Sequence, residues 1–210
     1  IGEGVSRTPV PGRKRRDIFA TIRNDRLWLV GILCILCGII KESFSMWAPV
    51  ILTMLLGMDV QSSLLFLMMF PFGQALGSLF SAWLIRNTRD KIRVPLIVEY
   101  GVMTVCCAGL FVPDMPVALI ILLMVMISAM ANAGGNTYFG FLPMSYRTKG
   151  MVSTLSGSFD FCSYVGSALS SFVFASVLSG ESITPLAMLW GGIAVVSIVL
   201  TALVRIPEME

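Results

Sequence analysis

Four ionisable residues lie deep within long apolar stretches of this chain. Lys41 and Glu42 are in the first stretch, Glu99 is in the third and Asp160 is in the fifth. Lys41 is the only one of the 15 Lys and Arg residues inside such a stretch. Side chains of these types can bind an anion, carry a proton or pair with each other. A charge surrounded by apolar residues is expensive, and at membrane depth it usually marks a substrate or proton pathway.

The residues after Lys41 predict a polar, broken helix. Ser45 follows four positions later and shares its helical face, whereas Glu42 points about 100° away. Pro49 lacks a backbone N–H and predicts a kink over residues 45–49, next to Trp47. Non-helical backbone is tolerated at membrane depth where it lines a cavity. Lys41, Ser45 and Trp47 are therefore candidate substrate contacts.

Two further polar stripes occur at helical spacing. The fourth stretch has Asn132 and Asn136 four residues apart, followed by Tyr138. The fifth has a stripe made of Ser156, Asp160, Tyr164 and Ser167. With the first stretch they could enclose a wet cavity, although for the serines hydrogen bonding between helices is the favoured interpretation. For Lys41 and Asp160 we expect a cavity or an ion pair, because helix packing alone needs no formal charge.

Glu99 has a different expected role. It lies about six residues, or roughly 9 Å along a helix, from a basic stretch at 86–93. We therefore expect an ion pair with a basic residue of that stretch: Arg86, Arg89 or Lys91. Glu42, Glu99 and Asp160 are together the candidate proton or ion-pair residues. Gly73 and Gly77 form a small-xxx-small face that favours close helix packing.

The elements that must position these residues are membrane helices. The chain is 56% apolar and 13% charged, against about 25% charged in a soluble domain. Basic stretches alternate with turns that contain no Lys or Arg, at 57–59, 113–116 and 179–182, as the positive-inside rule requires. The sequence predicts an all-α membrane protein, a six-transmembrane-helix bundle with both termini cytoplasmic. The predicted spans are 27–56, 62–84, 94–112, 117–142, 150–178 and 183–204.

Several other functions are not expected. The chain has no histidine, which removes the usual base that activates a serine or cysteine nucleophile, and it has no phosphate-loop motif. We therefore expect neither an enzyme nor a cofactor or metal; Cys34 and Cys37 fit packing better than ligation. The basic cluster 13–16 precedes a span, so it predicts membrane orientation and contact with lipid, with no nucleic-acid partner.

Lys41 is followed six positions later by Trp47 and then by Pro49, and Gly77-Ser78-Leu79 precedes Trp83 and Arg86. These two patterns resemble the C-terminal half of a major facilitator superfamily transporter, most closely the organophosphate:phosphate antiporter family. Lys41, Trp47 and Pro49 match the family spacing on the seventh helix, where Arg is common at the first position. Gly77-Ser78-Leu79 leads to Trp83 and Arg86, as after the eighth helix. The superfamily loop normally carries Asp directly after that helix. Here Ile85-Arg86-Asn87 occupies those positions, and Asp90 comes later.

The resemblance implies a twelve-helix protein in which residues 27–206 are helices seven to twelve. Residues 1–26 would be a basic cytoplasmic linker, and residues 207–210 a cytoplasmic tail. It also implies an N-terminal six-helix half as partner, and it puts the first, fourth and fifth helices of this chain on the translocation path. The loop after the second helix would gate transport through Arg86, Arg89, Asp90 and Lys91.

The predicted function is secondary active transport of a small anionic metabolite across the cell (inner) membrane. An organophosphate exchanged for phosphate by alternating access is the specific form, with Lys41 as the cation. One alternative is a proton-coupled exporter of apolar or cationic compounds that uses Glu42 or Asp160 as its proton site. The other is a transporter-like membrane receptor that binds the ligand without moving it.

Overall fold

A computed structural model describes residues 21–177 and 183–204, and within these ranges all regular structure is helical. The α-helices are α1 Leu27–Glu42, α2 Ala48–Val50, α3 Val60–Leu67, α4 Met69–Asn87, α5 Arg93–Gly109, α6 Val117–Asn136, α7 Leu142–Met144, α8 Val152–Val177 and α9 Thr184–Leu203. Three π-helical segments interrupt them: π1 Ser43–Trp47, π2 Ile51–Leu55 and π3 Thr137–Phe141. Together they form six helical stretches in the order expected from the sequence.

Three of these stretches are long and apolar enough to cross a membrane. They are Val60–Asn87, Val117–Met144 and Thr184–Leu203, and they coincide with the second, fourth and sixth predicted spans. The other three stretches contain Lys41, Glu99 and Asp160. The count of six spans remains a prediction.

The helices pack in pairs around a continuous apolar core. α1 lies against α8, α4 against α6, and α5 against both α6 and α9. The core includes Tyr100, Tyr138 and Trp190, all of which are buried. The predicted small-xxx-small face is confirmed: a Cβ added to Gly77 would lie 2.2 Å from the Ala129 carbonyl oxygen, and one on Gly73 would overlap Val125. Backbones of α4 and α6 meet closely because these positions have no side chain.

The basic stretches meet at one end of the bundle. Arg26 donates to the carbonyl of Leu203 at 3.4 Å, and Arg93 donates to that of Val204, at the C-terminus of α9. Cations are stabilising there because the last carbonyls of a helix carry partial negative charge. Lys149 forms a salt bridge with Asp25 at 3.3 Å. Arg26, Arg93 and Lys149 thus bring basic residues from three separate parts of the chain to this end of the bundle.

The loop between α4 and α5 is organised by Asp90. Its carboxylate accepts the backbone N–H groups of Ile92 at 3.2 Å and Arg93 at 2.9 Å, which satisfies donors at the start of α5. The basic side chains of this loop, those of Arg86, Arg89 and Lys91, are exposed. Asp90 therefore has a structural role as a helix cap, and its predicted gating role stays a prediction.

The opposite end has a cap of its own. Asp59 accepts the backbone N–H of Ser62 at 3.1 Å and begins α3. Hydrogen bonds from the Ser62 side chain and backbone hold the pKa of Asp59 below its usual value. The predicted outward turn at 179–182, the linker residues 1–20 and the tail 207–210 lie outside the described residues.

Cysteine labelling tests which end faces the cytoplasm. A single cysteine at Asp59 should react with a membrane-impermeant maleimide in intact cells, and one at Arg89 should react only after the membrane is opened. Both positions are exposed, whereas four of the five native cysteines are buried, so background labelling should be low. The reversed pattern would overturn the predicted topology.

Candidate functional site

Lys41 is in the last turn of α1 and lies half-buried against α6 and π3. Its Nζ is 5.5 Å from the centre of the Phe139 ring, a cation–π contact. Its stem passes over Gly135, where an added Cβ would be 3.6 Å from the Lys41 Cδ. The Lys41 stem therefore lies against α6 at Gly135.

Pro143 interrupts the helical hydrogen bonding of the backbone beside Lys41. Pro143 has no N–H, so it cannot satisfy the carbonyl of Phe139 four residues earlier. The Ser156 hydroxyl of α8 donates to that carbonyl at 2.8 Å. α1, π3 and α8 therefore meet at Phe139, and single π-turns of this kind are frequent at functional sites. Pro49 follows π1 in the same way on the first helical stretch, where a kink was expected.

The polar stripe of α8 runs along the side where that helix meets its neighbours. Ser156 contacts π3, and the Ser167 hydroxyl is 3.5 Å from the Gly38 carbonyl of α1. Between these two serines, Asp160 and Tyr164 are exposed, Tyr164 to 68%. The Asp160 carboxylate has no hydrogen-bond or ion-pair partner among residues 21–177 and 183–204. The ion pair with Lys41 that the sequence suggested is thus not formed in this conformation.

Asn132 and Asn136 hold α6 to α4. The Asn132 amide donates to the Gln74 carbonyl at 3.1 Å and to the Ser78 hydroxyl at 3.0 Å. The Asn136 amide donates to the same hydroxyl at 2.7 Å, and the Gln74 amide reaches Ser128 at 2.9 Å. Both Asn side chains are half-buried. Their donors serve helix packing, and their substrate role stays a prediction.

Replacing Ser78 with alanine should lower the thermal stability of the detergent-solubilised protein. Two amide groups would lose their shared acceptor, at a cost of about 1–3 kcal/mol. Ser158→Ala is the matched control, because Ser158 is exposed and bonds only within its own helix. Equal melting temperatures for the two variants would show that the α4–α6 network contributes no stability.

Tyr138 lies away from Lys41 in this structure, and its predicted substrate contact stays a prediction. It is 1% exposed, its ring centre is 6.3 Å from that of Tyr100, and its hydroxyl is 3.4 Å from Thr201 of α9. It faces the supporting helices α5 and α9 because two positions separate it from Asn136, which turns it about 200° round the helix.

The remaining candidates on the first helical stretch are Glu42 at the end of α1 and Ser45 and Trp47 in π1. Trp47 stacks on Phe174 of α8 with ring centres 6.2 Å apart, and its buried Nε1 has no hydrogen-bond partner among the described residues. Glu42 is half-buried. The side chain of Ser45 lies outside the described residues.

The structure contradicts the ion pair that the sequence predicted for Glu99. Glu99 is 0% exposed, and neither carboxylate oxygen has a hydrogen-bond partner in the described part of the chain. No ion pair joins it to Arg86, Arg89 or Lys91, because those side chains are exposed at the end of the bundle while Glu99 points into it. An apolar repeat in the sequence could have revealed that Glu99 points inward, because Glu99 falls on the same buried face of α5. The repeat consists of Ile92, Leu96, Met103 and Cys107.

A sequence model of the Major Facilitator Superfamily matches residues 3–171. The chain belongs to this superfamily. Comparisons with curated proteins and with solved structures gave no match. The superfamily consists of membrane transporters, so the chain is a multi-pass membrane protein of a transporter family and not of an enzyme family.

Proposed function

We propose that this chain is the C-terminal six-helix half of a secondary transporter for a small anionic metabolite, with Lys41 as the anion-binding cation. The observation that carries the proposal is the position of Lys41. It is a half-buried cation at the junction of α1, π3 and α8, held over Phe139. Lysine is a point charge with three donors, which suits a phosphate or carboxylate group.

Polar residues on the helices that neighbour α1 are consistent with the same site. Asp160 and Tyr164 are exposed on α8 beside helix-linking serines, and Asn132 and Asn136 lie on the neighbouring α6. We infer that an N-terminal six-helix half covers this surface and supplies facing cations, so that the path is enclosed only when both halves are present. The family resemblance favours an organophosphate exchanged for phosphate, in the cell inner membrane with both termini cytoplasmic.

Flux measurements on the full-length protein in proteoliposomes test this function. Vesicles loaded with inorganic phosphate should take up a labelled sugar phosphate and release phosphate in exchange. Efflux of a lipophilic cation driven by a pH gradient would instead support a proton-coupled exporter. Saturable binding of the sugar phosphate without flux would identify a receptor, and either result would overturn the proposed exchange.

A further inference from the structure

The buried Glu99 has a chemical environment that differs from that of Lys41. The Ser81 hydroxyl lies close enough to interact with its carboxylate, but that hydroxyl is paired with Thr137 at 3.0 Å, and Thr137 also reaches the Ala133 carbonyl at 3.3 Å. No described hydrogen bond reaches the carboxylate oxygens. A carboxylate left without donors in an apolar interior costs several kcal/mol when it is charged.

Among residues 21–177 and 183–204, no Lys or Arg forms an ion pair with the Glu99 carboxylate, although Lys41 of α1 interacts with the Cys37 thiol, which also interacts with Glu99. The titratable groups that interact with it are the Tyr100 hydroxyl on α5 and the Cys37 thiol on α1, with Tyr138 of π3 next to Tyr100. All three are neutral groups that would only become negative on titration. The described parts of α4, α6 and α9 present no Lys or Arg toward it: Arg86 is exposed at the end of α4.

We propose that Glu99 is a proton-binding site, separate from the anion site, whose occupancy is coupled to π3 and hence to Lys41. In the conformation described, the carboxyl group holds its proton. When water reaches the carboxyl group in another conformation, its O–H bond breaks. The proton goes to water, and the carboxylate remains.

The coupling follows from the hydroxyl pair. A charged Glu99 would draw a hydrogen bond from the Ser81 hydroxyl, which now pairs with Thr137. Thr137 would then lose that partner. Thr137 is the first residue of π3, and Phe139 in the same segment contacts Lys41. Release of the proton would therefore disturb the segment that supports the anion-binding cation, and anion binding would affect proton release in return.

Infrared spectroscopy of the full-length protein in lipid tests whether the proton is present. At neutral pH, wild type should show the C=O stretch of a protonated carboxyl group in an apolar setting, and Glu99→Gln should lose that band. Asp114→Asn is the matched control, since Asp114 is an exposed loop carboxyl with a left-handed backbone that asparagine accepts. It should keep the band. A wild-type spectrum without this band, or a band retained in Glu99→Gln, would overturn the proposal.

Thermal stability gives a second, independent readout. A charged Glu99 is costly in this packing, so the melting temperature of wild type should fall as pH rises from mildly acidic to alkaline. In Glu99→Gln the side chain keeps its shape but cannot titrate. The melting temperature of this variant should therefore change less with pH than that of Asp114→Asn. Equal pH dependence in these two variants would contradict a titrating Glu99.

The role in transport rests on the proposed function. Uptake of inorganic phosphate driven by a pH gradient should fall by about an order of magnitude in Glu99→Gln, while phosphate–phosphate exchange stays within about twofold. Unchanged gradient-driven uptake would refute the coupling. If wild type moves no phosphate at all, the proposed anion transport fails, whereas the infrared band still decides whether Glu99 binds a proton.

Discussion

Replacing Lys41 with glutamine should weaken the binding of an anionic substrate to the full-length protein by about tenfold or more, which corresponds to ~1.4 kcal/mol. Glutamine can lie over Gly135 in much the same way but carries no charge. The loss would reflect the attraction between the ammonium group and the anion in a site partly shielded from water. Substrate-dependent uptake in proteoliposomes gives the change as a rise in the half-saturating concentration.

Two further variants separate charge from packing. Lys41→Arg keeps the charge and should retain more of the affinity than Lys41→Gln, consistent with the Arg of the resembling family. Arg147→Gln removes a cation from an exposed turn and should leave the binding affinity close to that of wild type, because net charge alone does not hold the anion. An unchanged affinity in Lys41→Gln, with a normal gel-filtration profile, would leave Lys41 as a structural cation and remove the main support for an anionic substrate.

The sequence predicted the helices well because their signals are local. Long apolar stretches between basic and non-basic turns depend only on hydropathy and charge order, and the six helical stretches fall where these patterns placed them. The close packing at Gly73 and Gly77 was equally local, since two glycines four apart share one face. Such features do not depend on which helix lies opposite.

Side-chain partners were harder to predict because they depend on the neighbouring helix. Distance along α5 suggested that Glu99 would reach the basic loop, yet its direction is set by the apolar face that α5 turns inward. Tyr138 is adjacent in sequence to the Asn pair, but it faces Tyr100 and Thr201. Phe139 was missed altogether, since a Phe among other apolar residues carries no signal until Lys41 is found above it.

The interface between α1 and α8 should be the most sensitive to added volume. A Cβ on Gly166 would lie 2.0 Å from the Ile35 carbonyl oxygen, and one on Gly38 would lie 2.1 Å from that of Ser163. Both contacts are with backbone, which cannot turn away as a side chain can. Gly166→Ala should therefore force the two helices apart and cost about 1–3 kcal/mol or more.

The expected result is a lower melting temperature and less monodisperse protein for Gly166→Ala. Gly157→Ala is the matched control, because it lies on the same helix with no atom within 4 Å of the added Cβ. Alanine is also the better helix former, so this control should be neutral or slightly stabilising. Equal behaviour of the two variants would show that α1 and α8 do not pack as closely as described.

The double variant Gly38→Ala, Gly166→Ala tests whether the two glycines act together. Each substitution alone requires the same separation of α1 from α8, so the second should cost less once the first has moved the helices. The combined loss of stability should be smaller than the sum of the single losses.

The separation would also draw Lys41 on α1 away from the α8 polar stripe. Anion affinity should therefore fall in all three variants and stay near wild type in Gly157→Ala. Strictly additive losses with unchanged affinity would mean that the two contacts are independent and that the spacing between α1 and α8 does not determine the geometry of the site.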